Sequence, residues 1–291
     1  MDLRKDISDF LTSRRARISP ESVGLPSYSP NRRVAGLRRE EVAMLAGVSV
    51  DYYTRIERGQ LKGVSESVVA GLARVLNLDD AERKYLDNLV SLSNPGIRLP
   101  SKPRPMVVKS SLLRLLESVE DVPMYVRNGR MDILAMNAMA KQFLSPVIAS
   151  QGPQPNMARF CILDPSAQDY FVDWEKVATD TVGILRAQAS RDPYDKQLTD
   201  LIGELCTLSE FFRVHWAAHN VHEHKGGTKR FNHPEVGQME LMFEAFDVPN
   251  EESLRLNTYF APAGSASENA LKLLRISAYE SRTQTDAALE S

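Results

Sequence analysis

The chain's 291 residues are 43% apolar and 25% charged, a globular composition that excludes a disordered or fibrous chain and suits two ordinary domains. No apolar run approaches the roughly 18 residues of a membrane span, and the start, MDLRKDISDF, lacks the apolar stretch of a secretory signal; a cytoplasmic protein with no membrane partner is expected. The net charge of −2 conceals an asymmetry, because residues 1–78 hold 13 Lys and Arg against 9 Asp and Glu and the remainder 23 against 29, which fits a polyanion partner at one end only.

In chain order, residues 3–16 place Leu3, Ile7, Phe10 and Leu11 at helical spacing, with Arg14, Arg15 and Arg17 at the carboxyl end, where cations complement the helix dipole. A Pro/Ser loop follows. LRREEVAMLAG then reads as a helix stopped by Gly47, Ser49 caps VDYYTRIERG, Ser65 caps VVAGLARVLNL, and Asp79 caps AERKYLDNLVSL. Five helices in about 90 residues predict an all-α domain over 1–92. Residues 93–105, with four prolines, read as a linker. Beyond them PMYVRNGRMDILAMN reads as two strands joined by an Asn128-Gly129 turn with positive φ at both residues. Helices are expected near 137–145, 168–190 and 195–219, and paired strands at MELMFEAF and LRLNTYFA. A last helix over about 267–279 and a flexible tail, 281–291, complete the chain. The segment 106–280 is thus α+β, a small antiparallel sheet packed by helices.

The strongest signal lies at residues 38–59. Two short helices meet at Gly47-Val48-Ser49, a turn that lets the second cross the first at the angle needed to enter a major groove. On the second helix Ser49, Val50, Asp51, Tyr53, Thr54 and Arg55 fall on the turns that can reach base edges. Arg38, Arg39 and Arg58, with Arg32 and Arg33 in the preceding loop, are candidate phosphate partners. A plain αα corner with solvated arginines is the competing reading. GLRREEVAMLAGVSVDYYTRIERG resembles the helix-turn-helix of XRE (lambda-repressor-like) regulators, in particular the MmyB-like branch; it departs from that pattern after Gly59, where Val64-Ser65 replaces the usual Pro-Ser.

The resemblance continues through Asp132, Leu134, Ala135 and Asn137, then Asp173-Trp174-Glu175, Leu185-Arg186, Ser209-Glu210-Phe211 with Trp216 and His219, and His233-Pro234 with Gly237. It implies a PAS-like domain that holds a small, largely apolar effector and carries no cofactor. Met131 and Met136 stand where the branch usually has Trp, so a pocket here would differ in shape. Candidate ligand contacts are Met131, Met136, Asn137, Trp174, Phe211, Trp216 and Tyr259, with Arg186 and His219 to orient a headgroup. The same side chains could equally fill a core.

All five histidines fall between His215 and His233, and His215 and His219 share a helical face at metal-ligand spacing. However, no cysteine is near and HNVHEHKGGTKRFNHP reads as a polar loop, so no metal is expected. Cys161 and Cys206 read as free thiols. No catalytic motif is present. The expected protein is a homodimer that reads an inverted repeat in double-stranded DNA and responds to a small molecule; the alternative is a body that only pairs copies or docks a protein.

Overall fold

In a computed structural model, residues 3–25, 34, 36–94, 107–152, 154–218, 226–249, 251 and 254–289 are described, with side chains up to 280. Arg32, Arg33, His219, His222, His224 and most of the expected linker lie outside them. The chain divides into two compact units. The first comprises 1–103 with 186–199 and 214–222, and the second 104–185 with 200–213 and 223–291.

The first unit contains α1 (Leu3–Arg17), α2 (Arg39–Ala46), α3 (Val50–Glu57), α4 (Glu66–Val75) and α5 (Asp80–Ser93). Its core joins Ile7, Phe10 and Leu11 of α1 to Val42, Tyr53, Ile56, Leu72, Leu86 and Leu89, as the helical spacing of these residues requires. The arginines at the end of α1 are not dipole ornaments on a solvated turn. Arg14 is buried, pairs with Glu82 at 2.8 Å and lies over the Phe10 ring, while Arg15 reaches across to Glu57. Gly59 has φ 82°, and a Cβ there would come within 2.5 Å of the Arg4 carbonyl oxygen. Only glycine lets the chain leave α3 so close to the backbone of α1.

The second unit contains α6 (Ser110–Ser118), β1 (Met124–Arg127), β2 (Ile133–Met136), α7 (Ala138–Phe143), α8 (Ser145–Gln151), α9 (Met157–Leu163) and α10 (Ser166–Tyr170). It continues with parts of α11 (Trp174–Arg191), α12 (Lys196–Leu208) and α13 (Glu210–Ala217), then β3 (Gly226–His233), β4 (Gly237–Asp247), β5 (Arg255–Phe260) and α14 (Ala266–Leu289). The strands form one antiparallel sheet in the order β2-β1-β5-β4-β3, the PAS-like α+β architecture that the resemblance implied. Alternation along the strands sends Tyr125, Arg127, Asn257, Tyr259, Phe243 and Phe231 to one buried face. On the other face, Met124 and Val126 pack with Leu116 of α6.

Three local expectations are corrected. Neither Asn128 nor Gly129 has positive φ; the left-handed residue is Met131, at φ 68°. The connection is a three-residue loop: Met131 N–H donates to the Asn128 carbonyl and Asn128 N–H to the Asp132 carbonyl, both at 3.1 Å, a turn closed by a left-handed residue. The Asn128 side chain, accepting from the N–H groups of Arg130 and Asp132, holds that loop. Residues 226–233, expected as loop, form β3. Their pattern was hard to read because most of this edge strand is exposed, with Phe231 and His233 as its fully buried anchors. The last helix runs on through Leu289, so the expected flexible tail is helical there.

Candidate functional site

Two places concentrate chemistry, one in each unit. In the first, α2 ends in a tight C-cap. Gly47, at φ 70°, donates to the Met44 carbonyl, and the next N–H, of Val48, donates to the Ala43 carbonyl at 2.9 Å, which satisfies carbonyls that a helix end would leave open. Two residues later Ser49 accepts the Tyr52 N–H at 3.2 Å and starts α3. The turn therefore stops one helix and starts the next within three residues.

A buried carboxylate ties these helices to α1. Glu57 accepts from Arg15 at 2.9 and 3.1 Å, from Arg39 at 3.1 and 3.2 Å and from the Thr12 hydroxyl at 3.0 Å. Burial pushes the Glu57 carboxyl up, but the hydrogen bonds from Arg15, Arg39 and Thr12 outweigh it and hold it below its usual range. Tyr53 is 0% exposed, and burial together with Glu57 pushes its phenol up. This corrects the expectation that Tyr53 reads bases: with Ile56 three residues on, it sits on the inner face of α3. Arg39 is also committed in part, since its Nε and Nη2 serve Glu57. Outward on α3 stand Val50, Asp51, Arg55 and Arg58, with Tyr52 and Thr54 partly exposed; Arg55 donates to Gln60 at 3.2 Å. Arg38 caps α2, its N–H donating to Glu41 at 2.6 Å.

In the second unit a small, partly enclosed cavity opens between the buried face of the sheet and the helices. The sheet supplies Tyr125, Arg127, Lys229, Phe243, Asn257 and Tyr259. Helices α9 and α11 supply Met157, Cys161, Val177, Asp180, Thr181 and Ile184, and Met131, Leu144, Phe171 and Phe231 complete the walls. Burial pushes the Cys161 thiol up to about 12, so it is neutral and unreactive at neutral pH. Burial also pulls Arg127 and Lys229 down.

Of the expected ligand contacts among the described residues, Met131 and Tyr259 line this cavity, whereas Met136, Asn137, Trp174, Arg186, Phe211 and Trp216 are not on its walls. Asn137 is instead a structural clasp: its Oδ1 accepts from Met124 and Ala140, and its Nδ2 donates to the Val119 and Val122 carbonyls, all within 2.7–3.1 Å. Met136, opposite Tyr125 in the β1–β2 register, is not among the walls. Trp174 donates to the Cys161 carbonyl at 2.8 Å and packs on Phe211 with ring centroids 5.0 Å apart. Arg186 and Trp216 belong to the first unit, where the guanidinium lies 4.1 Å over the indole and donates to the Trp216 carbonyl. Both pairs satisfy each other, which removes them as lining groups. The residues that were missed, Arg127, Lys229 and Asn257, carried one available signal: each shares a strand face, at i and i+2, with an aromatic residue of the cavity wall.

His233 is held by its neighbours. Its Nε2 bonds the Gln142 carbonyl at 3.1 Å and its Nδ1 accepts from Glu235 N–H, while burial lowers its pKa. Among the described residues no three His, Cys, Asp or Glu side chains converge as metal ligands, and no helix is long and apolar enough to cross a membrane.

Residues 10–86 match a helix-turn-helix domain family, and residues 108–274 match the family described as MmyB-like transcription regulator ligand binding domain. Both are regulator domains and not enzyme families. No curated protein matches the chain. With more than half of its length inside the second match and the DNA-binding module ahead of it, the chain belongs to the MmyB-like transcription regulators.

Proposed function

We propose that this regulator reads a specific duplex site with α3 and changes its affinity for that site when a small molecule occupies the cavity of its second unit. The observation that supports the reading is the cavity itself: it lies wholly within the matched domain, and its walls are mostly apolar with a few polar groups, the usual form of an effector site. Base contacts are assigned to Ser49, Val50, Asp51, Thr54 and Arg55, and phosphate contacts to Arg38 and Arg58, with Arg39 sharing its guanidinium between Glu57 and the backbone of the nucleic acid. One helix-turn-helix buries too little surface for tight specific binding, so two copies act together on an inverted repeat. The protein acts in the cytoplasm by binding, without catalysis.

Linkage makes the proposal testable. An effector that prefers one DNA-binding state must shift operator affinity, and operator must shift effector affinity by the same factor. Val177 of α11 lines the cavity, so Val177→Phe fills it, at an overpacking cost of about 1–3 kcal/mol. In a variant that still melts cooperatively, operator affinity should change and the small molecule extracted from the denatured parent protein should be lost. Unchanged operator affinity together with no extractable small molecule in the parent would sink the proposal.

The second reading, a body that only pairs copies or docks a protein, is favoured by one observation. On the sheet face turned away from the cavity, Met242 and Phe246 of β4 and Phe260 of β5 are exposed, with Met242 opposite Phe260. That reading expects Val177→Phe to leave operator binding untouched.

A further inference from the structure

A guanidinium taken out of water is costly unless a carboxylate or several acceptors replace its hydration. Arg127 is 4% exposed. Among the described residues its side chain makes one hydrogen bond, from Nη1 to the Asn128 carbonyl at 3.2 Å, and no ion pair. Its register neighbour Arg255 is paired with Asp247 at 2.8 Å, so that carboxylate is engaged elsewhere. The second cation on the walls, Lys229, rests over the Phe243 ring at 4.5 Å, and the charge of Arg127 acts on it. Against these two the walls bring one carboxylate, Asp180, so the enclosed space is net positive.

A neutral donor points the same way. Asn257 is 6% exposed, lines the cavity beside Tyr125 in the β1–β5 register, and leaves its Nδ2 without a hydrogen-bond partner. Buried donors are nearly always satisfied, and one left open at a cavity wall calls for an acceptor that the chain does not supply. The apolar walls have their own character. Phe171 and Phe231 stand with centroids 5.6 Å apart, and Tyr259 lies 5.6 Å from Phe231 and 6.2 Å from Phe243. Edges and faces in this spacing extend naturally to one more flat ring, and the thioethers of Met131 and Met157 suit a ring edge.

We propose that the effector is a small aromatic carboxylate, its carboxylate held by Arg127, Lys229 and Asn257 and its ring seated among Phe171, Phe231 and Phe243. This rests on the reading of the cavity as the effector site and assigns that site its chemistry. The anion restores charge balance and accepts the open Nδ2–H in one step, which a neutral molecule does not do, and the ring adds to the aromatic walls.

Isothermal titration of the full chain with benzoate, benzamide and octanoate separates charge from ring. Benzoate should bind at least about tenfold more tightly than benzamide, the size expected for a charge-assisted hydrogen bond, and more tightly than octanoate, which carries the same carboxylate without the ring. Arg127→Met should erase the preference of benzoate over benzamide, with melting followed in parallel; Lys229→Met carries the same expectation should the first variant fail to fold. Benzamide or octanoate binding as tightly as benzoate overturns the inference while a ligand still occupies the cavity, so the effector reading survives. Benzoate affinity unchanged in the folded variants overturns it as well. If no probe binds, the inference falls, and the Val177→Phe operator measurement decides separately whether the effector reading falls with it.

Discussion

Replacing Glu57 by Ala removes the α3 carboxylate that Thr12 and Arg15 of α1 and Arg39 of α2 all bond. It is 1% exposed, and its main partner, Arg15, is 11% exposed. The variant leaves the Arg15 guanidinium its bond to the Leu37 carbonyl at 2.8 Å but strips this buried cation of its counter-charge. Breaking a pair of this kind costs about 3–5 kcal/mol. The bonds from Arg39, whose side chain is 49% exposed, add little, under about 1 kcal/mol, because solvent screens them. Against a domain stability of about 5–15 kcal/mol, the loss is a large fraction. Amide exchange across residues 3–93 of the full chain reads it locally, which matters because a two-unit chain need not melt in one step. Exchange protection of α1, α2 and α3 should fall together by about 3 kcal/mol or more, and operator binding should weaken for every sequence because the reading helix loses its seat. Glu57→Gln, which keeps the shape and one acceptor, should cost less than half as much. A Glu57→Ala protein within about 1 kcal/mol of the parent would refute the reasoning, showing that desolvation of the ions cancels their attraction here.

Acid should loosen the same unit. The Glu57 carboxyl is held below its ordinary value of 4.5, so its stabilisation is complete above that value and drains as pH falls through the depressed folded one; urea midpoints below pH 4.5 should drop more steeply in the parent than in Glu57→Gln. Arg58→Ala, at an exposed position to which a phosphate contact is assigned in the proposal, should lower the salt slope of operator binding by about 1 per contact with sequence preference intact, and a changed preference would reassign it. Asn137→Ala should destabilise the second unit by about 3 kcal/mol or more, since two N–H groups and two carbonyls lose their partner at once; a stable variant that merely loses effector response would restore Asn137 to the ligand site. Light scattering at micromolar concentration should show a dimer, and footprinting two half-sites, whereas a monomer on one uninterrupted half-site would contradict the inverted repeat.

Local signals were sufficient where a short stretch of chain contains its own reason. Gly47 and Ser49 stop and start helices through their own backbone conformation and hydroxyl, so the helix-turn-helix was legible from one line of sequence. The apolar periods of α1, α4 and α5, and of β4 and β5, likewise announce which face is buried. Side-chain roles were not local. Tyr53 and Arg39 looked outward until α1 brought Arg15 to the far side of Glu57, 42 residues away in sequence. Asn137 looked like a site residue because its motif is polar, yet its four partners lie on the segment before β1, the first residue of β1 and the first turn of α7. The cavity depends on strands distant in the chain: Arg127 and Asn257 meet only because β5 inserts between β1 and β4. Pairing of remote strands is chosen by which buried faces close on one another, and that choice belongs to the whole fold. Sequence alone therefore determined the kind of protein, a helix-turn-helix head followed by an α+β body of the MmyB-like regulators, while tertiary structure decided which charges are spent on holding the head together and which are left facing the cavity.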